Sequence, residues 1–498
     1  MHLGLATAIL IGATSVNFDQ VCSEANEFMA EMVAINTTNP PGNETPLLER
    51  LRGHLAKEKI PTEIFEAAPG RGNLIAHLKG NGSKKPILLM AHVDVVGVDS
   101  KLWETNPFAM TIVDDYLVGR GVLDDKGMAA VWIETLLDLK RRAVALERDV
   151  VVVLTADEES GGTYGIKWLL ENKRELLENA EFAINEGAGA RLVDGKLQYI
   201  AMQSAEKMYQ TFTVSAQGPG GHSSVPKVDN AIYRLAKGLG RLGGFQFPAR
   251  LTKTTKAYFA ALAKDKSNKM SRYAKMLVKS KRRNKLPKSA IRKIAQSPKM
   301  NAMLRTTCVA TMLEAGQREN ALPQSASAKV NCRVLPGEKN LLKTLTKVIG
   351  DPKITIEASR ELQEVPATPV EGAFPAAVKA VAAVMSPGVP VVPSMSAGAT
   401  DSRHLRQIGI AAYGLKPFPA SDDDASRIHG ANERLLVTSF HYGCEFLYRT
   451  VEELAAVKVE EVPEDEEEPE IVDDEDESAA ADTPAIEGPA ASSTSVRK

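Results

Sequence analysis

Apolar residues run unbroken through three short stretches of this chain, and each stretch breaks off into acids or histidine. They are Ile87-Leu88-Leu89-Met90-Ala91 before His92-Val93-Asp94, Val150-Val151-Val152-Val153-Leu154 before Thr155-Ala156-Asp157-Glu158-Glu159, and Phe182-Ala183-Ile184 before Asn185-Glu186. Short, uniformly apolar runs bounded by polar residues predict strands buried on both faces of a parallel sheet. Around them the spacing predicts helices over 24–35, 47–58 and 126–143, and a further strand over 73–78. Alternating strands and helices make this an α/β protein with a mostly parallel sheet and helices on both faces.

Near residue 206 the pattern changes. Strands are predicted over 209–216, 306–313, 326–335 and 354–359, with helices over 230–242 and 339–349. Strand, helix, strand, strand, helix, strand is the order of a ferredoxin-like α+β sandwich. The first sheet then resumes with strands over 378–385 and 410–413 and ends on a helix over 433–451. Residues 19–205 and 363–456 are therefore expected to form one discontinuous domain, with 206–362 inserted into it. Beyond Val457 the acidic, Pro- and Ala-rich tail, 457–498, cannot bury enough apolar surface to order itself.

The 498 residues, 44% apolar and 25% charged, suit a soluble enzyme. The net charge of −2 conceals two opposite segments: 252–305 holds seventeen Lys or Arg and one acid, Asp265, whereas Glu460 to Glu477 holds thirteen acids and no base. Four cysteines, Cys22, Cys308, Cys332 and Cys444, are widely spaced without a CxxC, which predicts buried free thiols. No apolar run reaches the roughly 18–20 residues of a membrane span. Residues 1–18 have the apolar stretch and small residues of a secretory signal, but no base in front of it. They predict a periplasmic or secreted protein, with the cytoplasm as the alternative.

Open α/β sheets bind ligands beyond the carboxyl ends of their strands, and carboxylates crowded at a buried edge are costly unless a cation compensates them. His92 and Asp94 point the same way from a strand end, so the acid could orient the imidazole as a metal ligand; a satisfied core histidine is the competing reading. Asp124-Asp125-Lys126-Gly127 alone reads as a solvated turn before a helix. Glu158-Glu159 offers more, since one carboxylate can bind metal while its neighbour faces the reacting water as general base. Glu186 adds an acid and His429 an imidazole. Imidazoles with carboxylates and no thiolate suit zinc, with cobalt or manganese as substitutes. Five ligands exceed one tetrahedral zinc, and two ions sharing a carboxylate fit the count.

From about Val33 to Val451 the sequence resembles the dinuclear-zinc metallopeptidases that include carboxypeptidase S, glutamate carboxypeptidase, aminoacylases and succinyl-diaminopimelate desuccinylase. Ala91-His92-Val93-Asp94-Val95-Val96, Gly119-Arg120-Gly121-Val122-Leu123-Asp124-Asp125-Lys126-Gly127, Thr155-Ala156-Asp157-Glu158-Glu159, Asn185-Glu186-Gly187 and Arg427-Ile428-His429-Gly430 carry the resemblance. Pro219-Gly220-Gly221-His222-Ser223-Ser224, Glu319-Asn320-Ala321-Leu322-Pro323 and Ala399-Thr400-Asp401-Ser402-Arg403-His404 look most like carboxypeptidase S and its bacterial relatives. The resemblance implies His92, Asp124, Glu159, Glu186 and His429 as ligands of two Zn2+, Asp124 bridging them and followed by a cis peptide. It implies Asp94 as partner of His92, Glu158 as general base, and His222 as an oxyanion donor reaching in from the partner of a homodimer. Asn320, Arg333 and Gly398 are the candidates for holding substrate, Arg333 by forking onto a free carboxylate. The inserted domain then serves as lid and dimer interface. The Lys-rich stretch and the acidic tail have no counterpart in these motifs.

Nucleic-acid binding through Lys279-Ser280-Lys281-Arg282-Arg283-Asn284-Lys285 is a second hypothesis. Few aromatics and no binding module accompany that run, so a solvated amphipathic helical insertion is preferred. An inactive binding protein on the same scaffold is a third, disfavoured because every ligand type is present. The sequence therefore predicts a zinc carboxypeptidase or dipeptidase, with an N-acyl-amino-acid amidohydrolase as alternative, acting on peptides or N-acyl amino acids.

Overall fold

The computed structural model of the chain describes residues 16–264, 268–280 and 286–458. Most of the expected signal segment, Asp265, the Lys281 to Lys285 run and the tail from residue 459 lie outside the described residues.

Helices α1 (Phe18–Ala34) and α2 (Thr45–Lys57) lead into strands β1 (Thr62–Glu66), β2 (Gly72–Leu78) and β3 (Ile87–His92). A hairpin of β4 (Thr111–Val113) and β5 (Tyr116–Val118) precedes α3 (Lys126–Arg141), β6 (Val150–Thr155), α4 (Ile166–Asn172), β7 (Phe182–Val193) and β8 (Lys196–Glu206). The second sheet begins with β9 (Met208–Gln217) and the short β10 (Gly221–His222), followed by α5 (Ala231–Gly244). Four short helices then fill the Lys-rich stretch: α6 (Lys253–Leu262), α7 (Ser271–Val278), α8 (Lys288–Ile294) and α9 (Pro298–Leu304). Next come β11 (Thr307–Ala315), β12 (Ala321–Leu322), β13 (Ser325–Val334), α10 (Leu341–Ile349) and β14 (Ile354–Ala358). The chain returns through α11 (Ala373–Met385), β15 (Val391–Ser396), α12 (Ser402–Gln407), β16 (Ala411–Ala420), α13 (Asp422–Ser426), β17 (Arg434–Leu436) and α14 (Val437–Ala455).

The large sheet has the order β1-β2-β6-β3-β7-β16-β8-β15. Its centre is parallel, β6 with β3, β3 with β7 and β7 with β16, while β1, β2 and β8 enter antiparallel. Every residue of β3 and β6 is buried, and alternate side chains serve opposite faces. Ile87, Leu89 and Val152 pack in the core with α1, α3 and α14, whereas Leu88, Met90 and Val153 pack with Ile166, Leu169 and Leu405 of α4 and α12. Helices on both faces are what the unbroken apolar runs demand. Buried Lys126 locks the layers by donating to the carbonyls of Met32 and Ile35 at the end of α1, both at 2.9 Å.

The second sheet runs antiparallel in the order β11-β13-β9-β14, with α5 and α10 packed on it. That is the ferredoxin-like topology, inserted between β8 and α11.

Three expectations are corrected. The stretch 378–385 is not a strand but the second half of α11: its buried residues, Phe374, Ala377, Val378, Val381 and Ala382, recur at helical spacing, which a run of Ala and Val conceals. Cys308 and Cys332 are not free thiols. They face each other in the register of β11 and β13 and form a disulfide, while Cys22 and Cys444 are free and buried. A sequence separation of 24 residues gives no hint of that pairing. The Lys-rich stretch is four helices enclosing Phe259, Leu277, Ile294 and Leu304, and its Met303 packs with Ala205 and Met395 of the large sheet. The expected amphipathic helical insertion is there, but its described helices share a packed core of their own where a solvated insertion was expected.

Helix α14 approaches β16 through Gly443, where a Cβ would stand 2.0 Å from the Phe418 ring. Gly443→Ala should cost about 1–3 kcal/mol in urea unfolding. Gly240→Ala, facing open space on α5, should be neutral or stabilising.

Candidate metal centre

The parallel strands deliver the expected acids to one edge. β3 ends on His92, β6 ends two residues before the turn holding Glu158 and Glu159, and β7 carries Glu186. Asp124 arrives on the loop before α3, with a cis peptide between it and Asp125, and His429 on the segment before β17. Donor atoms of His92, Asp124 and Glu186 lie within 4.8 Å of one another, and so do those of Asp124, Glu159 and His429. The two groups share Asp124.

A layer of hydrogen bonds holds these ligands. His92 Nδ1 donates to the Asp94 carbonyl at 2.9 Å and lies 3.4 Å from Asp94 Oδ1, leaving Nε2 turned toward Asp124. The Asp94 carboxylate accepts the backbone N–H of Glu158 at 3.1 Å and of Glu159 at 3.2 Å, so one buried acid positions the imidazole and the Glu158-Glu159 turn together. Asn39 bridges Asp94 and Asp157, and Asp157 also takes Arg71, which is clamped by buried Glu44. Glu433, fully buried, accepts the backbone N–H of Gly121, Leu123 and Asp124 and the Arg120 guanidinium, tying the Asp124 loop to the His429 segment.

Electrostatics mark the cluster as a cation site. Burial would raise Asp124, but Lys416, His429 and His92 outweigh it and hold that carboxyl well below its ordinary value. Burial and then the charge of Glu186 push Glu158 well above the ordinary range, and burial with Asp124 raises Glu186 to about 7. Hydrogen bonds that His429 donates to Asp124 and Glu159 raise it to about 10. Neither carboxylate oxygen of buried Asp125 has a hydrogen-bond partner, and Glu159 Oε1 meets His429 Nε2 at 3.0 Å. A donor set of two imidazoles and several under-satisfied carboxylates, without thiolate, fits hard or borderline divalent ions.

The other expected residues stand apart from this cluster. His222 is exposed on β10, its Nδ1 2.7 Å from Ser224 Oγ, and it pairs with Ala321 beside exposed Asn320. Arg333 on β13 stacks on Tyr209, its guanidinium carbon 4.9 Å from the ring centre, as is that of Arg360. Among the described residues Arg333, Arg360, Lys167, Lys207 and Arg403 make no ion pair within 4 Å; all but Arg333 line, together with Glu206 and Glu361, a cavity of about 70 Å³ that reaches Ala399, next to Gly398. Burial and then the neighbouring Arg403 and Lys167 depress His404 to about 3, and burial with Arg333 lowers Lys207 to about 8.

Sequence reasoning missed Glu433, Asn39, Arg71 and Lys416. Glu433 stands within the His429 motif but reads as the start of a helix that begins only at Val437. Lys416, a lone base within the apolar run from Ile410 to Phe418, was a visible signal.

A family model described as peptidase family M20/M25/M40 matches residues 88–453. The chain is 26% identical over 463 residues to an N-fatty-acyl-amino acid synthase/hydrolase of Mus musculus, covering 88% of this chain and 89% of the relative. It is 28% identical over 393 residues to a probable carboxypeptidase S-like protein of Dictyostelium discoideum, covering 76% and 74%. Among solved structures it matches an M20 family metallo-carboxypeptidase from Sulfolobus solfataricus with a TM-score of 0.65 at 22% identity, covering 86% of this chain and 99% of that one.

An imidazole is protonated below its pKa, and both His92 and His429 are raised. At pH 7 a divalent ion binding there must displace protons, and its affinity should weaken as pH falls. Calorimetric titration in buffers of differing ionisation enthalpy should show net proton release. A heat independent of buffer would contradict the protonated ligands.

Proposed function

The chain belongs to peptidase family M20/M25/M40, and from that premise we propose a metal-dependent hydrolase of amide bonds beside a free carboxylate, acting as a carboxypeptidase or dipeptidase. Asp124 carries this reading, as the one carboxylate common to both ligand groups, with Glu158 on the same turn as Glu159. We take the ions as two Zn2+, with Co2+ or Mn2+ as substitutes. When bound, such ions acidify a water and polarise the scissile carbonyl. Glu158 takes the water proton and delivers it to the leaving amine. Asp94 keeps that turn and His92 in place.

The five unpaired cations support recognition of the carboxylate. Arg333 forks onto it, with Arg360, Arg403 and Lys207 deepening the field and Gly398 and Asn320 lining the approach. His222 lies on the inserted domain away from the ligands, which suits donation to the developing oxyanion of a partner subunit. Val309, Met312 and Leu313 are exposed on β11, the unpaired edge of the inserted sheet, and offer that homodimer an apolar contact.

A second reading, hydrolysis of N-fatty-acyl amino acids, is favoured by a cavity of about 390 Å³ beside the ligands. Leu123, Met303, Met395, Phe418 and Ile428 line it, with Tyr258 from the Lys-rich insertion, and an acyl chain would suit such walls. Among the described residues no helix is long and apolar enough to cross a membrane, and we keep export through residues 1–18 as a proposal. A panel of dipeptides, blocked dipeptides and N-acyl amino acids decides between the two; exclusive cleavage of fatty-acyl substrates would reverse the ranking.

Glu158→Gln should retain metal and substrate binding and lose about 10²–10⁴-fold in kcat. Activity within about tenfold of wild type would remove Glu158 as the base. Mixing inactive His222→Ala with inactive Glu158→Gln should restore activity in exchanged dimers. With subunit exchange demonstrated independently, no recovery would mean that His222 does not act across subunits.

A further inference from the structure

Lys416 puts an ammonium group inside a cluster built to take metal. It stands on β16 where the pairing with β7 slips register: Gly414 faces Asn185, yet Lys416, two residues on, faces Gly189. The two additional residues of β7 form a bulge at Glu186-Gly187-Ala188, and bulges re-aim side chains. The strands touch closely there, since a Cβ on Gly414 would stand 2.7 Å from the Glu186 carbonyl oxygen. Glu186 and Lys416 are thereby turned toward Asp124. Lys416 Nζ lies 3.0 Å from Asp124 Oδ1, 3.4 Å from Glu186 Oε2 and 3.7 Å from Asp125 Oδ1.

Those contacts divide unevenly between the two ligand groups. Asp124 and Glu186 are two of the three donors of the His92 group, and His92 Nε2 faces the same Asp124 oxygen, Oδ1, at 3.6 Å. The other group meets Asp124 through Oδ2, 3.1 Å from His429 Nε2, and its Glu159 makes no ion pair with the lysine.

We propose that Lys416 makes the two metal positions unequal: its ammonium competes for the Asp124 and Glu186 carboxylates, so a divalent ion binds tightly at Asp124, Glu159 and His429 and weakly at His92, Asp124 and Glu186. The inference rests on the cluster being a metal centre and is independent of the substrate. A unit positive charge a few ångströms from a dication, at a partly buried site, changes affinity by more than about tenfold. The lysine also neutralises acids that would otherwise repel one another, so the ligands keep their places before metal arrives. Its long stem gives it somewhere to go, because it already lines the 390 Å³ cavity.

The test is calorimetric titration of the metal-stripped, full-length protein with zinc chloride, with zinc counted by mass spectrometry after dialysis against metal-free buffer. Wild type should bind one ion tightly and a second at least about tenfold more weakly, and retain one. Lys416→Met, similar in length and uncharged, should bring the two steps together and retain two ions, and its zinc-free form should melt below wild type and recover with zinc. His92→Gln should abolish only the weak step, which keeps the proposal testable if Lys416→Met fails to fold. A titration of folded Lys416→Met that superimposes on wild type, or loss of the tight step in His92→Gln, would overturn the inequality alone. No zinc binding by wild type would overturn the metal centre as well.

Discussion

Crowding of like charge at the carboxyl edge of the parallel strands is the constraint around which this protein is organised. Asp124, Asp125, Glu158, Glu159 and Glu186 converge there with only Lys416 and two histidines as internal counter-charge. Burial pushes Asp125 and Glu158 toward their protonated forms, whereas Asp124, in contact with Lys416 and both histidines, is driven the other way. An edge so short of positive charge among the described residues has the electrostatics of a cation site.

Holding such groups together requires a rigid second layer, which comes from acids that carry no ligand role. Asp94 and Glu433 are each fully buried, and each takes several backbone N–H groups of the loops that bear the ligands. Against burial, His92, Asn39 and the Glu158 N–H hold the Asp94 carboxyl below its ordinary value, whereas at Glu433 burial outweighs Arg120 and the N–H donors and raises it; each acid converts flexible loop backbone into a fixed support. Trp132 of α3 adds to this by donating to the Met90 carbonyl at 2.9 Å, setting the helix that follows Asp124 against β3.

The inserted unit contributes shape and charge of a different kind. Arg333 and Arg360 lie against Tyr209, and Arg360 with Lys167, Lys207 and Arg403 lines a recess that Glu206 and Glu361 share. The helices of the Lys-rich stretch use their apolar faces to build a small core and place Tyr258 and Met303 in the wall of the cavity beside Leu123 and Lys416.

How much of this was legible beforehand depended on the range over which each feature is encoded. The buried strands, the helices between them and the ferredoxin-like order are written in local periodicity; the candidate residues His92, Glu158, Glu159, Glu186 and His429 stand out in short motifs, and Asp124, whose surroundings alone read as a solvated turn, was named through the family resemblance. What depends on register could not be read locally. The Cys308–Cys332 bond, the support from Glu433 and Asn39, and the seating of Lys416 against Asp124 across 292 residues all arise where separate segments meet, whereas α11 was missed because a run of Ala and Val conceals its local helical spacing. Periodicity states which face of a strand is buried; only the packed sheet, with its bulge at Gly187, decides which charge ends up beside which.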